Sequence, residues 1–112
     1  MKKEDKLFGD SNYLQKNPVL RYLGRLLDRR ILNQLEPLIT RASDFGLPKT
    51  DVENALIDIE YNEFEESFEI IVQQLYEYEI KIDQEFYDLA MEICETMKLD
   101  KKKYQFLKEL VV

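Results

Sequence analysis

Histidine is absent from the 112 residues, and cysteine occurs once, at Cys94. Without histidine there is no serine or cysteine triad of the usual kind, no imidazole acid–base chemistry and no ordinary zinc site. A di-metal carboxylate bundle built on Glu-x-x-His pairs is excluded on the same ground. With one cysteine, no intrachain disulfide can form, and a cysteine-based zinc site lacks its ligands. Glycine and proline number three each, too few for long irregular loops. There is no glycine-rich phosphate loop and no calcium loop of the D-x-[DN]-x-[DN]-G type. No window approaches the roughly 18 apolar residues of a membrane span, and no apolar run follows Met1, Lys2 and Lys3. The expectation is a cytoplasmic protein of one domain that is not an enzyme and has no cofactor, metal or membrane partner.

Basic residues are nearly missing from the stretch between Asp51 and Met97. It holds fifteen carboxylates and one base, Lys81, for a formal charge of −14, whereas the segments on either side carry +4 and +3 and the whole chain −7. Between the acids, apolar residues recur at helical spacing: Phe64, Phe68, Ile71, Val72 and Leu75, then Phe86, Leu89, Ala90, Ile93, Cys94 and Met97. The acids therefore belong to the outer faces of folded helices. Self-repulsion on this scale exceeds what solubility requires, since a small domain manages with a mixed-sign net charge of roughly 2 to 8. The surplus points to a cationic partner; a solvated acidic face is the plainer alternative.

Along the chain, residues 1–16 show no sustained period and are expected to form an extended lead-in, with Leu7, Phe8 and Tyr13 as anchors. Asn17 and Pro18 form a helix start, and residues 17–112 a single helical domain. Val19, Tyr22, Leu23, Leu26, Leu27 and Ile31 give the first helix its apolar stripe, and Arg21, Arg25 and Arg29 a basic row. Pro37 predicts a break, with a second helix from Glu36 through Leu38, Ile39 and Ala42 to Phe45. Gly46 is a left-handed C-cap, and Thr50 with Glu53 reads as a capping box for a helix that buries Val52, Ala55, Leu56 and Ile59. A turn at Tyr61 and Asn62 precedes a central helix reaching about Tyr78. Asp83 and Asp100 cap the last two helices, the final one turning Tyr104, Leu107 and Val111 inward. The fold class is all-α, a compact bundle of five or six short helices.

The run Ala55–Glu63, the segment Leu75-Tyr76-Glu77-Tyr78-Glu79-Ile80 and the helix from Asp83 through Met97 together resemble the MafI-type immunity proteins of bacterial polymorphic toxin and contact-dependent inhibition systems. The shared pattern is a helix ending near a Gly-Glu turn, a helix closing on Leu-Tyr-Glu, a short aliphatic turn and another amphipathic helix. It covers residues 50 to about 110, with Asn62 in place of the usual glycine and Ser67-Phe68 in place of a smaller pair. The resemblance implies a protein that binds and neutralises a cognate toxin domain, in such families often a nuclease and sometimes an EndoU-type ribonuclease, by occluding its active site or RNA groove. A basic nuclease groove is the kind of partner the charge pattern calls for. On this reading Glu60, Glu63, Glu66, Tyr76, Glu77, Tyr78 and Glu79 are the candidate partner-binding residues, the acids steering and the tyrosines anchoring. The protein would be a monomer or weak dimer without direct nucleic-acid contact, phosphate binding requiring a basic surface. The alternative is an acidic helical adaptor or nucleic-acid mimic that sequesters a basic DNA-binding protein.

Overall fold

The computed structural model describes the backbone of residues 18–112 and the side chains of residues 26–112. The expected lead-in, the Asn17 cap and the faces assigned to residues 19–25 lie outside these. Among the described residues the order is α1 (Pro18–Phe45), α2 (Lys49–Glu60), α3 (Phe64–Glu77), α4 (Gln84–Met97) and a closing 3₁₀ helix (Lys101–Leu110). The fold is all-α. The chain divides into two compact units, Met1–Arg30 and Ile31–Val112. In the first, the end of the helical segment exposes Leu26, Leu27, Arg29 and Arg30, so the two leucines are not the buried stripe their spacing predicts. The second unit holds the core.

Pro37 does not break α1, contrary to the sequence expectation. Within a helix, proline leaves the carbonyl four residues back without a donor and costs about 3 kcal/mol. Here that carbonyl belongs to Asn33, and Asn33 and Pro37 are both exposed, so water can reach it. The opposite side buries Ile31, Leu35, Leu38, Ile39 and Ala42, and this apolar burial outweighs the lost bond.

The four α-helices of the described residues end in the same way. The residue after the last turn takes positive φ: Gly46 (115°), Asn62 (60°), Glu79 (54°) and Lys98 (59°). Around each, two backbone bonds close a Schellman motif, such as Gly46 N–H to the Ser43 carbonyl and Leu47 N–H to that of Ala42, both at 3.0 Å. Asn62 occupies the turn where the resembled pattern has glycine, and it tolerates the left-handed region for the same reason, a short side chain. Glu79 and Lys98 lack that excuse and carry a steric cost of about 1 kcal/mol each. Lys98→Gly should therefore raise stability by up to about 1 kcal/mol, part of the gain being lost to glycine's extra freedom in the unfolded chain. Urea denaturation with an unchanged m-value is the check.

Helix starts follow the sequence at two places and depart from it at a third. The Asp83 carboxylate accepts from Phe86 N–H at 2.8 Å, and that of Asp100 from Lys102 N–H at 3.0 Å. Thr50 and Glu53 form no capping box. Helix α2 begins two residues early at Lys49, and the Pro48 carbonyl accepts from Asp51 and Val52 N–H, which leaves Thr50 inside the first turn. Glu53 instead faces Lys49 at 3.9 Å.

Helices α2 and α3 form an antiparallel hairpin. Near its turn, Ser67 Oγ donates to the Ala55 carbonyl at 2.8 Å, with Ala55 and Ser67 fully buried. At its open end, Gln74 Nε2 donates to Asp51 Oδ1 at 3.2 Å. Small residues at the crossing let the helices approach closely enough for that direct bond. Helix α1 reaches α4 through Phe45 on Phe86, edge-on at 5.7 Å, and through Arg41, which pairs with both Asp83 and Glu85. The closing helix packs on α3 through Phe68 and Tyr104, with ring centres 5.2 Å apart. Its three-residue turn puts Tyr104, Leu107 and Leu110 on one line, so Leu110 is buried where an α-period predicts Val111. Val111 pairs instead with Ile82 in a single β-bridge, where Ile82 N–H donates to the Leu110 carbonyl and Val112 N–H to that of Ile82.

Two buried acids resist ionisation in this core. Burial pushes the Cys94 thiol up to about 11 from 9.0. Burial, then the 2.7 Å bond from its hydroxyl to Glu69 Oε2, raises the Tyr104 phenol well above 10.0. Both hold their protons more tightly folded than unfolded, so their stabilisation is complete below about pH 9 and is lost as pH rises from the unfolded values toward the folded ones. Stability should fall by about 2 kcal/mol between roughly pH 9 and 11 through Cys94, with Tyr104 adding a further loss above pH 10. Tyr104→Phe should remove the part of that limb above pH 10 and leave the Cys94 part, and Cys94 should resist alkylation at neutral pH until urea exposes it.

Candidate protein-binding surface

The candidate residues sit where the ends of α3 meet solvent, and all seven are exposed. They do not form one cluster. Glu60, Glu63 and Glu66 surround the α2–α3 turn, whereas Tyr76, Glu77, Tyr78 and Glu79 lie at the far end of a 14-residue helix about 20 Å long. One stripe of α3 links them: Glu66 and Glu77 are separated by eleven residues, three full turns, and so face the same side. Exposed Gln73 and half-buried Ile70 lie between them.

The far end is the more structured of the two. Tyr76, 41% exposed, sets its ring edge-on against Phe106 at 4.9 Å and donates its hydroxyl proton to Glu109 Oε1 at 3.0 Å. That bond and the Glu109 charge raise its pKa, with lesser contributions from burial and Glu79. Tyr78, half exposed, accepts at its hydroxyl from Gln74 Nε2 at 3.3 Å. Two shallow grooves flank Tyr76. One, of about 380 Å³, is lined by Gln73, Glu77 and Phe106 besides Tyr76; the other, of about 280 Å³, by Glu79, Lys81, Glu109 and Leu110. Aromatic faces held in place by hydrogen bonds, rimmed by carboxylates, suit a lysine or arginine side chain arriving with its apolar stem.

No protein-family model, no curated protein and no solved structure matches the chain. The surface must be read from its own chemistry.

Of the fifteen carboxylates between Asp51 and Met97, four meet a cation: Glu53 with Lys49, Asp83 and Glu85 with Arg41, and Glu95 with Lys101. The other eleven have no ion pair among the described residues. Among the described residues, the bases therefore leave most of this charge unanswered, including every acid in the candidate set. Among the described residues no group of three or more Asp, Glu or Cys is placed to hold a metal ion, and no helix is long and apolar enough to cross a membrane.

Sequence reasoning missed Phe106 and Glu109, which hold Tyr76 from the closing helix. On an α-period, nothing relates them to the end of α3. The 3₁₀ period supplies the signal: it buries Tyr104, Leu107 and Leu110 and turns Phe106 and Glu109, themselves three apart, to an adjacent side.

Glu79 is also informative, since it occupies a left-handed position where glycine would relieve strain. Glu79→Gly should stabilise the fold by up to about 1 kcal/mol. If the carboxylate serves binding, the same change weakens partner affinity, while Lys98→Gly gives the stability without the loss.

Proposed function

We propose that this chain is an immunity protein that binds a cognate toxin domain, a basic nuclease, and neutralises it by covering its active site or RNA groove. The observation that carries the reading is the excess of carboxylates along α2 and α3 that have no cationic partner among the described residues, ending in hydrogen-bonded tyrosines. The likeness to MafI-type proteins in the order of helices and turns supports it. Charge of one sign accelerates encounter with a cationic groove, and rigid aromatics slow departure.

The inhibition is steric. A bundle of this size can bury the roughly 800 Å² per partner of a stable complex and still exclude a nucleic acid from the groove it occupies. Carboxylates at the contact take the place that substrate phosphates would hold.

The test is recovery of the tagged protein from its native host at low salt and identification of what remains bound. A basic nuclease that kills the host when expressed alone, and is harmless when this chain is co-expressed, supports the reading. A DNA-binding regulator in its place would mean nucleic-acid mimicry instead.

A further inference from the structure

Leu56 belongs to the stripe expected to be buried on α2, yet 45% of it is exposed. The reason is a groove of about 450 Å³ between the second half of α1 and the start of α2. Ile39, Val52 and Leu56 give it an apolar floor, and Glu36 and Asp44 stand on its α1 side. It shares no lining residue with the grooves around Tyr76.

Its electrostatics are one-sided. Glu36 and Asp44 are exposed and have no ion pair among the described residues, and no described cation lines the groove. The two bases nearest in sequence are engaged elsewhere, Arg41 by Asp83 and Glu85, Lys49 by Glu53. Eight helical residues separate the carboxylates, about 12 Å along α1, with the apolar floor beneath. The remaining wall is made by the hydroxyl-bearing Thr40 and Ser43, which can accept from a passing donor without adding charge.

We propose that this groove is a second docking site, separate from the α3 surface, for a cationic amphipathic helix of a partner protein. Such a helix lies along the groove and buries one or two leucine-like side chains against Ile39, Val52 and Leu56. It places Lys or Arg two turns apart, at i and i+7 or i+8, to meet Glu36 and Asp44. The spacing of the acids matches that period, and a groove between two helices accepts a third in the helix-in-groove mode. A site of this size takes side chains rather than a whole helix face, so the affinity is modest and the docking serves to orient a partner held elsewhere or to bind a free helical segment.

The probe is a fluorescein-labelled helical peptide of roughly 18 residues, about five turns, with Leu at i+3 and i+4 between lysines two turns apart, and a scrambled peptide of the same composition. Binding is followed by anisotropy and by methyl NMR of the full chain. The expected result is binding of the amphipathic peptide alone, with shifts at Leu56 and Val52. Leu56→Ser, or Glu36→Lys combined with Asp44→Lys, weakens it about tenfold or more. Glu92→Lys, the same charge reversal at an exposed acid of α4 that does not line the groove, leaves it within about twofold. These side chains are at least partly exposed, so the variants fold, and circular dichroism verifies it. The proposal is overturned if the scrambled peptide binds equally, which means diffuse charge attraction. It is overturned also if the shifts fall around Tyr76, or if Leu56 and Val52 shift with protein concentration alone, which makes a second copy the occupant.

Discussion

Phe68→Ala should cost about 3 to 5 kcal/mol of folding stability, the range for removing a fully buried aromatic side chain. For a chain of 112 residues, whose total is roughly 6 to 17 kcal/mol, this is a large fraction of the whole. Phe68 has no exposed surface, lies midway along the buried stripe of α3 and meets Tyr104 of the closing helix. Truncation therefore removes transfer free energy, leaves a cavity between α3 and the closing helix, and discards an aromatic pair worth about 0.5 to 1.5 kcal/mol. The Tyr104 hydroxyl, tied to Glu69, keeps its ring from simply collapsing into the space. Phe68→Leu, which nearly fills the cavity, should cost less than half as much. The measurement is the urea midpoint at constant m-value. A loss below about 1 kcal/mol would mean that the closing helix does not depend on this contact.

How much of this was legible in the sequence differs from helix to helix. The stripes of α3 and α4 were readable because each is an uninterrupted apolar period bounded by charge, and Phe64, Phe68, Ile71, Val72 and Leu75 are all buried as that period requires. The Asp83 and Asp100 caps were readable because a short carboxylate before a periodic run has one favourable use. Pro37 misled because local propensity prices the lost hydrogen bond but not the five apolar side chains buried on the other face of α1. Thr50 misled because a capping box depends on where the first turn begins, and a shift of two residues, to a start at Lys49, removes it. Leu110 went unread because period 3 and period 3.6 diverge over a ten-residue helix, while Val111, expected inward, packs on the core only in part. At the candidate site, the exposure of all seven residues followed from their polarity, but adjacency did not. Acids close in sequence around one helix look like one patch, and only the length of that helix separates Glu63 from Glu79.

Reversing Glu63, Glu66 and Glu77 together to lysine should slow association with the partner recovered from the host by about tenfold or more at low salt and flatten its salt dependence. The three span the α3 stripe from the hairpin turn to the tyrosine end, so the field felt at a distance is removed along its whole length. Their side chains are exposed and unpaired among the described residues, and the fold should not register the change beyond a few tenths of a kcal/mol. Tyr76→Ala and Tyr78→Ala are expected to act on the other rate. Each removes a pre-positioned ring near the desolvated part of the contact, and a buried aromatic anchor is worth about 2 kcal/mol or more, which appears in dissociation. The two ends of α3 also make separable contributions: reversal at Glu60 and Glu63 alone should lower only the association rate, whereas Glu77→Lys beside the Tyr76–Phe106 pair should affect both rates. Surface plasmon resonance across a series of salt concentrations distinguishes these outcomes. If the triple reversal leaves association and its salt slope unchanged, the partner docks on a different face, and the unpaired carboxylates of α3 serve only hydration.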